Sequence, residues 1–393
     1  MNNYICKLRK FFKEKCNKIN NEFIKRSRNI NSEHILCYLL NSVSNNCKTD
    51  SSTNKCLKIE GVLKTSRQAM DKRRNNFKCS YMEDILCGLS EHISKTKLFD
   101  SSNIYAVDGS KLSLNKKIEG FKLTKNNKYK KCLLNTLYSV NNKIPIGFDL
   151  SEGFNENKSF LDNLMKYIKK DDIIMFDRGY FSKKLIKEID NKNANFICRM
   201  KKNSLCVQEL NKHNTNECFY WLESYGILRI MKYIIDGKTF YLSTNMFDNK
   251  ISYFSNLYHK RWYIEEYFKT IKHNMRVSNI NYTKIIKIKQ HIYACFILTI
   301  LARYMESITN KYISKNNNKN SYINFKQAIE LTGHHIIINL LIKQSTKKII
   351  NVLHVINDDR INNIANRSYQ RIRIKPVSKW YYEGISLKNK NMG

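Results

Sequence analysis

Four residues with chemical potential recur at helical spacing in the stretch YHKRWYIEEYFKTIK (258–272): Tyr258, Arg261, Glu265 and Lys272. If the stretch is one helix, a turn of about 100° per residue sets Arg261, Glu265 and Lys272 at roughly −60°, −20° and −40° from Tyr258, so all four share one stripe. Ile264, Phe268, Ile271 and Met275 gather on a separate, apolar face that can dock on a core. A carboxylate on a ridge with an arginine, a lysine and a tyrosine hydroxyl suits a divalent metal with phosphates held on either side.

Two further carboxylates are placed to meet it. Asp108 ends the run IYAVD, and Asp177 ends IIMFD. In an α/β sheet, functional groups collect at the C-terminal ends of strands. If these two strands are neighbours, both side chains come within reach of one divalent ion. Mg²⁺ takes oxygen ligands and keeps waters, so two or three carboxylates plus a substrate phosphate suffice. Two such ions about 4 Å apart activate a water or a 3′-hydroxyl and stabilise the leaving oxygen. Each acid alone has a plainer reading. Asp108 before Gly109 fits a turn, Asp177 fits the cap of a helix beginning near Phe181, and Glu265 fits a surface ion pair with Lys269. Glu156, near the start of a helix after the third strand, is a further candidate. A helix-start carboxylate favoured by the dipole is its simpler account.

The chain around these residues is strongly basic. Its 393 residues carry 70 Lys+Arg against 33 Asp+Glu, a formal net charge of +37. The usual partner of such charge is a polyanion, because each Lys or Arg that meets a phosphate releases condensed counterions. Lys, Asn and Ile are all abundant, which also fits an AT-rich coding sequence. The twelve cysteines form no Cys-x-x-Cys pair and no zinc spacing with histidine. They read as reduced intracellular thiols in a chain whose start, MNNYICKLRKFFKEK, has no apolar signal region. The longest apolar stretch, IYACFILTILA (292–302), is short for a membrane span and reads as a buried helix.

The positioning elements follow from the pattern. Residues 1–95 read as a helical, DNA-binding N-terminal domain, with NNCKTDSSTNK (45–55) as a linker-like break. The segment 58–77 has a helix-turn-helix flavour, in which Thr65 or Ser66 caps a helix carrying Arg67, Lys72, Arg73 and Arg74 towards phosphates or bases. Residues 96–310 read as mixed α/β: strands at IYAVDGS, KCLLNTLYSV and KIPIGFDL, a helix over NENKSFLDNLMKYIKK, a buried strand DIIMFD, a helix FSKKLIKEI and a buried strand ANFICRM. Further short strands, GILRIMKYII and KTFYLSTN, fall in 201–250. Helices fill roughly 284–345, and 311–393 reads as a helical and basic C-terminal region. Its Arg- and aromatic-rich tail from Arg360 is expected to lie extended on DNA.

Taken together, these motifs resemble the DDE transposases of bacterial insertion sequences, in the group with a Tyr-x2-Arg-x3-Glu-x6-Lys signature. Tyr258, Arg261, Glu265 and Lys272 meet every spacing of that signature. Asp177, Arg178, Gly179 and Tyr180 match the family's Asp-Arg-Gly-Tyr motif, and Asp108, Gly109 and Ser110 match its Asp-Gly-Ser motif. The resemblance covers roughly residues 60–300. It implies an RNase H-like mixed-sheet core with a β-rich insertion at about 201–250. It implies Asp108, Asp177 and Glu265 as the catalytic, metal-binding triad for Mg²⁺ or Mn²⁺, expected as two ions. Arg178, Tyr180, Tyr258, Arg261 and Lys272 would then handle the cut strand and its phosphate, and Trp262 would stack on a base or pack. The implied activity is cleavage at the element's terminal inverted repeats and transfer of the 3′ ends to target DNA by a homodimer. Two other readings stay open: a domesticated or inactive relative that only binds DNA, and a plain metal-dependent nuclease.

Overall fold

The computed structural model describes residues 1–24, 30–44, 49–101, 103–123, 129–314 and 321–362. The chain divides into two compact units. One comprises Asp100–Leu112 with Cys132–Phe268, and the remaining described residues form the other.

The helical unit begins with α1 (Asn2–Phe23), α2 (Ser32–Val43), α3 (Asp50–Ile59), α4 (Arg67–Asn75) and α5 (Cys79–Ser94). Helix α3 occupies half of the expected linker. Thr49 and Ser52 cap it reciprocally, each side chain accepting from the other's backbone N–H. Ser66 caps α4 by accepting from the Ala69 N–H at 3.2 Å.

The other unit is built on an eight-stranded mixed sheet. Its strands are β1 (Ile104–Leu114), β2 (Lys130–Ser139), β3 (Ile144–Ser151), β4 (Ile173–Phe176), β5 (Asn195–Arg199), β6 (Glu217–Leu222), β7 (Gly226–Ile235) and β8 (Lys238–Thr244). Their order is β3-β2-β1-β4-β5-β8-β7-β6. Strands β1, β4 and β5 run parallel, while β3 is antiparallel to β2 and β8 to β5. This is the RNase H-like arrangement expected from the sequence. The segment expected as a β-rich insertion extends the same sheet, because β8 pairs with β5 and carries β7 and β6 outward. Residues Val107, Phe160, Phe176, Tyr180, Leu185 and Phe196 lie in the core of this unit. The four apolar residues of β4 suit a strand covered on both faces.

The helices of this unit depart from expectation in two places. The segment expected as one helix after β3 is a single α-turn, α6 (Glu156–Ser159), followed by a π-helical turn (Phe160–Leu164) and a 3₁₀ turn (Met165–Tyr167). Downstream come α7 (Lys183–Asp190) and α8 (Leu205–Lys212). The stretch 258–272 is two helices, α9 (Ile251–His259) and α10 (Trp262–His273), with the break at Lys260 and Arg261.

The chain returns to the helical unit with α11 (Ile285–Tyr312), α12 (Phe325–Leu331), α13 (Ile337–Leu341) and α14 (Thr346–Asp358), plus a two-stranded ribbon of β9 (Ser321–Ile323) and β10 (Arg360–Asn362). Helix α11 is long and apolar enough to cross a membrane by length and composition. Its apolar residues from Ile288 to Ile308 are buried all round, including Ile292, Phe296 and Leu301, as in the central helix of a packed core. Helices α2, α5, α12 and α14 pack on it. The regions 1–95 and 311–362, expected as separate flanks, therefore share one core, and α11 belongs to it. The tail beyond Asn362 lies outside the described residues.

Candidate active site

Strand register brings the two aspartates together. β1 pairs with β4 from Ile104 opposite Ile173 to Ala106 opposite Met175, and the same offset carries Asp108 to Asp177. The two runs singled out in the sequence lie in adjacent parallel strands; Asp177 directly follows β4, whereas Asp108, expected to end its strand, lies within β1, which runs on to Leu114 past the end of β4. Continuing the β4–β5 register past Phe176 and Cys198 sets Arg199 beside Asp177, where its Nη1 lies 3.9 Å from Oδ1.

Arg261 and Glu265 complete the group. Arg261 is nearly buried at the break between α9 and α10. Its Nη2 donates to Glu265 Oε1 at 2.8 Å, and its Nη1 lies 3.5 Å from Asp108 Oδ2. Glu265 is thus paired with Arg261, one helical turn back, and the guanidinium bridges two of the three expected metal ligands. Among the described residues, no group of three or more His, Cys, Asp or Glu side chains is arranged to take an ion as it stands.

The electrostatics of the cluster are those of crowded, partly desolvated carboxylates. Burial pushes the Asp108 carboxyl above its ordinary value. Arg261 and the Gly109 N–H oppose that shift, and the Glu265 and Asp177 charges add to it. Glu156 is also raised, first by burial and then by Asp108 and Asp177. Arg261 is held above its ordinary value: burial works against its charge, and Tyr258, Asp108, Asp177 and Glu265 outweigh that.

Two tyrosines expected on DNA are interior, a correction with a common cause. Each hydroxyl finds a buried partner and the ring fills core. Tyr258 donates to the Phe176 carbonyl at 3.2 Å, fixing the backbone just before Asp177. Tyr180 is fully buried and donates to Asn135 Oδ1 at 2.8 Å. Tyr258→Phe is expected to cost about 0.5–1.5 kcal/mol of stability, the net worth of one such bond, with no loss of DNA affinity. Chemical denaturation and a binding titration check it. An affinity loss at unchanged stability would return Tyr258 to the DNA surface.

The remaining expected contacts divide between solvent and interior. Arg178 is exposed and lines a cleft of ≈360 Å³ with Arg199, Lys202, Lys238, Phe240 and Tyr241. Sequence reasoning missed Arg199, Lys202 and Lys238. The available signal for Arg199 was its place at the end of a buried strand, as with Asp177. Trp262 is exposed at the start of α10. Lys272 stands on the last turn of α10, in the helical unit.

On α4, Arg67 is exposed, but Arg73 lies 3.7 Å from the Phe23 ring centroid and donates to the Ile30 and Phe23 carbonyls. Arg74 is 1% exposed and bonds Gln290, Tyr282 and the Lys287 carbonyl, so its expected role on DNA is corrected to one in the core.

Residues 100–301 match the family model described as transposase DDE domain, a span that holds all three acids and Arg261. No curated protein shows significant similarity. Among solved structures, the chain is similar to the cryo-EM structure of a piggyBac transposase synaptic complex with hairpin DNA, at a TM-score of 0.46 and 13% identity over 90% of this chain and 83% of that one. With more than half of its length matched by the family model, and the matched span carrying Asp108 and Asp177 on adjacent parallel strands, the chain belongs to the DDE-domain transposase family.

Proposed function

We propose that the protein is an active DNA transposase: it cuts DNA strands at the ends of its own element and transfers the freed 3′-hydroxyls to target DNA. The carrying observation is the convergence of Asp108, Asp177 and Glu265 from three separate elements around one buried arginine. A scaffold kept only to bind DNA has no need of such a cluster, whose carboxylates repel one another and are costly to desolvate.

The residues fit a divalent ion. All candidate ligands are hard carboxylate oxygens, the donor type that Mg²⁺ and Mn²⁺ select. Asp177 Oδ1 is buried and accepts no hydrogen bond among the described residues. Asp108, Asp177 and Glu265 would hold the ion or ion pair, with Arg261 released from Glu265 to a substrate phosphate. Bound there, a divalent ion supplies Lewis acidity, a more acidic water or hydroxyl, and charge neutralisation on the phosphate.

The chain's own residues supply positioning. Tyr258 and the β1–β4 pairing fix the two aspartates, and Arg261 offers a planar, bidentate donor for a phosphate. Arg178, Arg199, Lys202 and Lys238 form a cationic wall beside Asp177 on which the DNA backbone can lie. Arg67, Trp262 and Lys272 are assigned to flanking DNA contacts. Terminal inverted repeats and target DNA are the partners, a homodimer holds the two ends, and the protein works inside the cell wherever that DNA lies.

The test is cleavage of a labelled duplex carrying the element's own flanking ends. Nicking at the repeat boundary is expected with Mg²⁺ or Mn²⁺, with strand-transfer products on added target DNA, and none after metal removal by chelator. Binding without cutting under any divalent ion would establish the DNA-binding relative instead. Cutting without end specificity or strand transfer would establish a nuclease.

A further inference from the structure

Glu156 stands outside the three expected acids, yet it is built into the same corner of the sheet unit. A methyl group placed on Gly109, next to Asp108, would collide with the Glu156 carboxylate: it would lie 2.8 Å from Cδ and closer still to Oε1. A methyl group on Gly179, two residues beyond Asp177, would lie 3.9 Å from Oε2. The carboxylate therefore lies between Gly109, next to Asp108 within β1, and Gly179, just beyond Asp177. It makes no hydrogen bond or ion pair among the described residues, and its nearest charge couplings are to Asp108, Asp177, Lys111 and Arg261.

The backbone beneath it is tightly held. Asn135 donates to the Glu156 carbonyl at 2.9 Å and is itself fixed by the buried Tyr180 hydroxyl. Asn157 donates to the Tyr180 carbonyl and to Ser182 Oγ at 2.7 and 2.8 Å. Residues of the Asp-Arg-Gly-Tyr motif and of β2 thus clamp Glu156 against the site. The dipole account suggested by its sequence position leaves unexplained why the carboxylate lies over Gly109, beside the two aspartates.

We propose that Glu156 is a fourth carboxylate of the cation site, sharing with Asp108 and Asp177 the divalent ion that they hold. The inference rests on the reading of Asp108, Asp177 and Glu265 as metal ligands. Four carboxylates share Arg261, Arg199 beside Asp177 and Lys111 near Glu156, which leaves an excess of negative charge in a partly desolvated pocket that a divalent cation relieves. A side chain at Gly109 would meet both the Glu156 carboxylate and Leu133 Cδ1, the latter at 2.8 Å, so the glycine keeps room for the carboxylate and for the core beside it.

The test is Mn²⁺ binding to the full chain, read from the electron paramagnetic resonance signal of free Mn²⁺, with cleavage measured in parallel. Glu156→Gln is expected to weaken Mn²⁺ binding by about ten- to hundredfold, the range typical of a residue supporting a metal site. It should raise the half-saturating Mn²⁺ for cleavage by a similar factor, with the rate largely restored at saturating metal. Gly109→Ala should weaken Mn²⁺ binding at least as much, since its methyl group displaces the Glu156 carboxylate as well as pressing on Leu133, and should add less to Glu156→Gln than it costs alone. It also serves if Glu156→Gln fails to fold. Asp108→Asn is the control that separates the two levels of inference. Unchanged Mn²⁺ binding in Glu156→Gln and Gly109→Ala, with binding lost in Asp108→Asn, would overturn the role of Glu156 and leave the triad standing. Wild-type protein whose Mn²⁺ binding is indifferent to Asp108→Asn would overturn both.

Discussion

Glu265→Gln is expected to lower metal-dependent strand cleavage by about 10²–10³-fold or more, the effect of removing one principal electrostatic contact to a developing charge. By transition-state arithmetic this is about 2.7–4 kcal/mol of barrier. The amide is nearly isosteric, and its oxygen can still accept from Arg261 Nη2, so the pairing that holds Arg261 at the helix break survives in outline. What disappears is the negative charge that a divalent ion needs. Duplex binding should persist, because the cationic surface that supplies it is untouched and the chain keeps a large positive net charge. The measurement is single-turnover cleavage of an end-bearing duplex beside a salt-matched binding titration. Cutting at wild-type rate in the variant would place the third carboxylate elsewhere. A parallel loss of binding would mean that Glu265 shapes the DNA surface instead of the chemistry.

The aspartates were legible because the sequence signal and the physical requirement coincide. A short apolar run leading to an acid reads as a buried strand, and the β1–β4 register brings the two acids together; what the run did not show is that β1 continues past Asp108 to Leu114. The ridge from Tyr258 to Lys272 was legible only in part. A rotation of about 100° per residue holds within one helix, and it placed Arg261 and Glu265, a turn apart, in contact. It failed for Tyr258, which belongs to α9 and turns its hydroxyl to the Phe176 carbonyl.

No periodicity announces the break at Lys260 and Arg261, since neither residue is a helix breaker. The same limit hid the clamp on Glu156. Its partners Asn135, Tyr180 and Ser182 come from separate elements, and only the tertiary structure joins them. Arginines on α4 showed the other failure of local reading. Their charge suggested DNA, but the residues that accept hydrogen bonds from Arg74 lie more than 200 residues away in sequence.

Arg74→Met is accordingly expected to destabilise the helical unit by about 3–5 kcal/mol, the usual result of removing one partner from a buried charged network. Arg74 Nε donates to Gln290 Oε1 at 2.8 Å, Nη1 to the Tyr282 hydroxyl at 3.2 Å and Nη2 to the Lys287 carbonyl at 3.3 Å. Asp50 Oδ2 lies 3.6 Å from Nη1, and the guanidinium stacks on the Tyr282 ring at 4.6 Å. Methionine fills part of the volume and satisfies none of these acceptors. It leaves the fully buried Gln290 oxygen without its donor and Asp50 without its cation. Arg67→Ala, on the exposed start of the same helix, is the matched control and should leave stability unchanged within about 0.5 kcal/mol. If α4 faces DNA, Arg67→Ala weakens binding at low salt and flattens its salt dependence, whereas Arg74→Met acts on the denaturation midpoint. A fully stable Arg74→Met protein with impaired DNA binding would reverse the assignment and restore Arg74 to the DNA-contacting face.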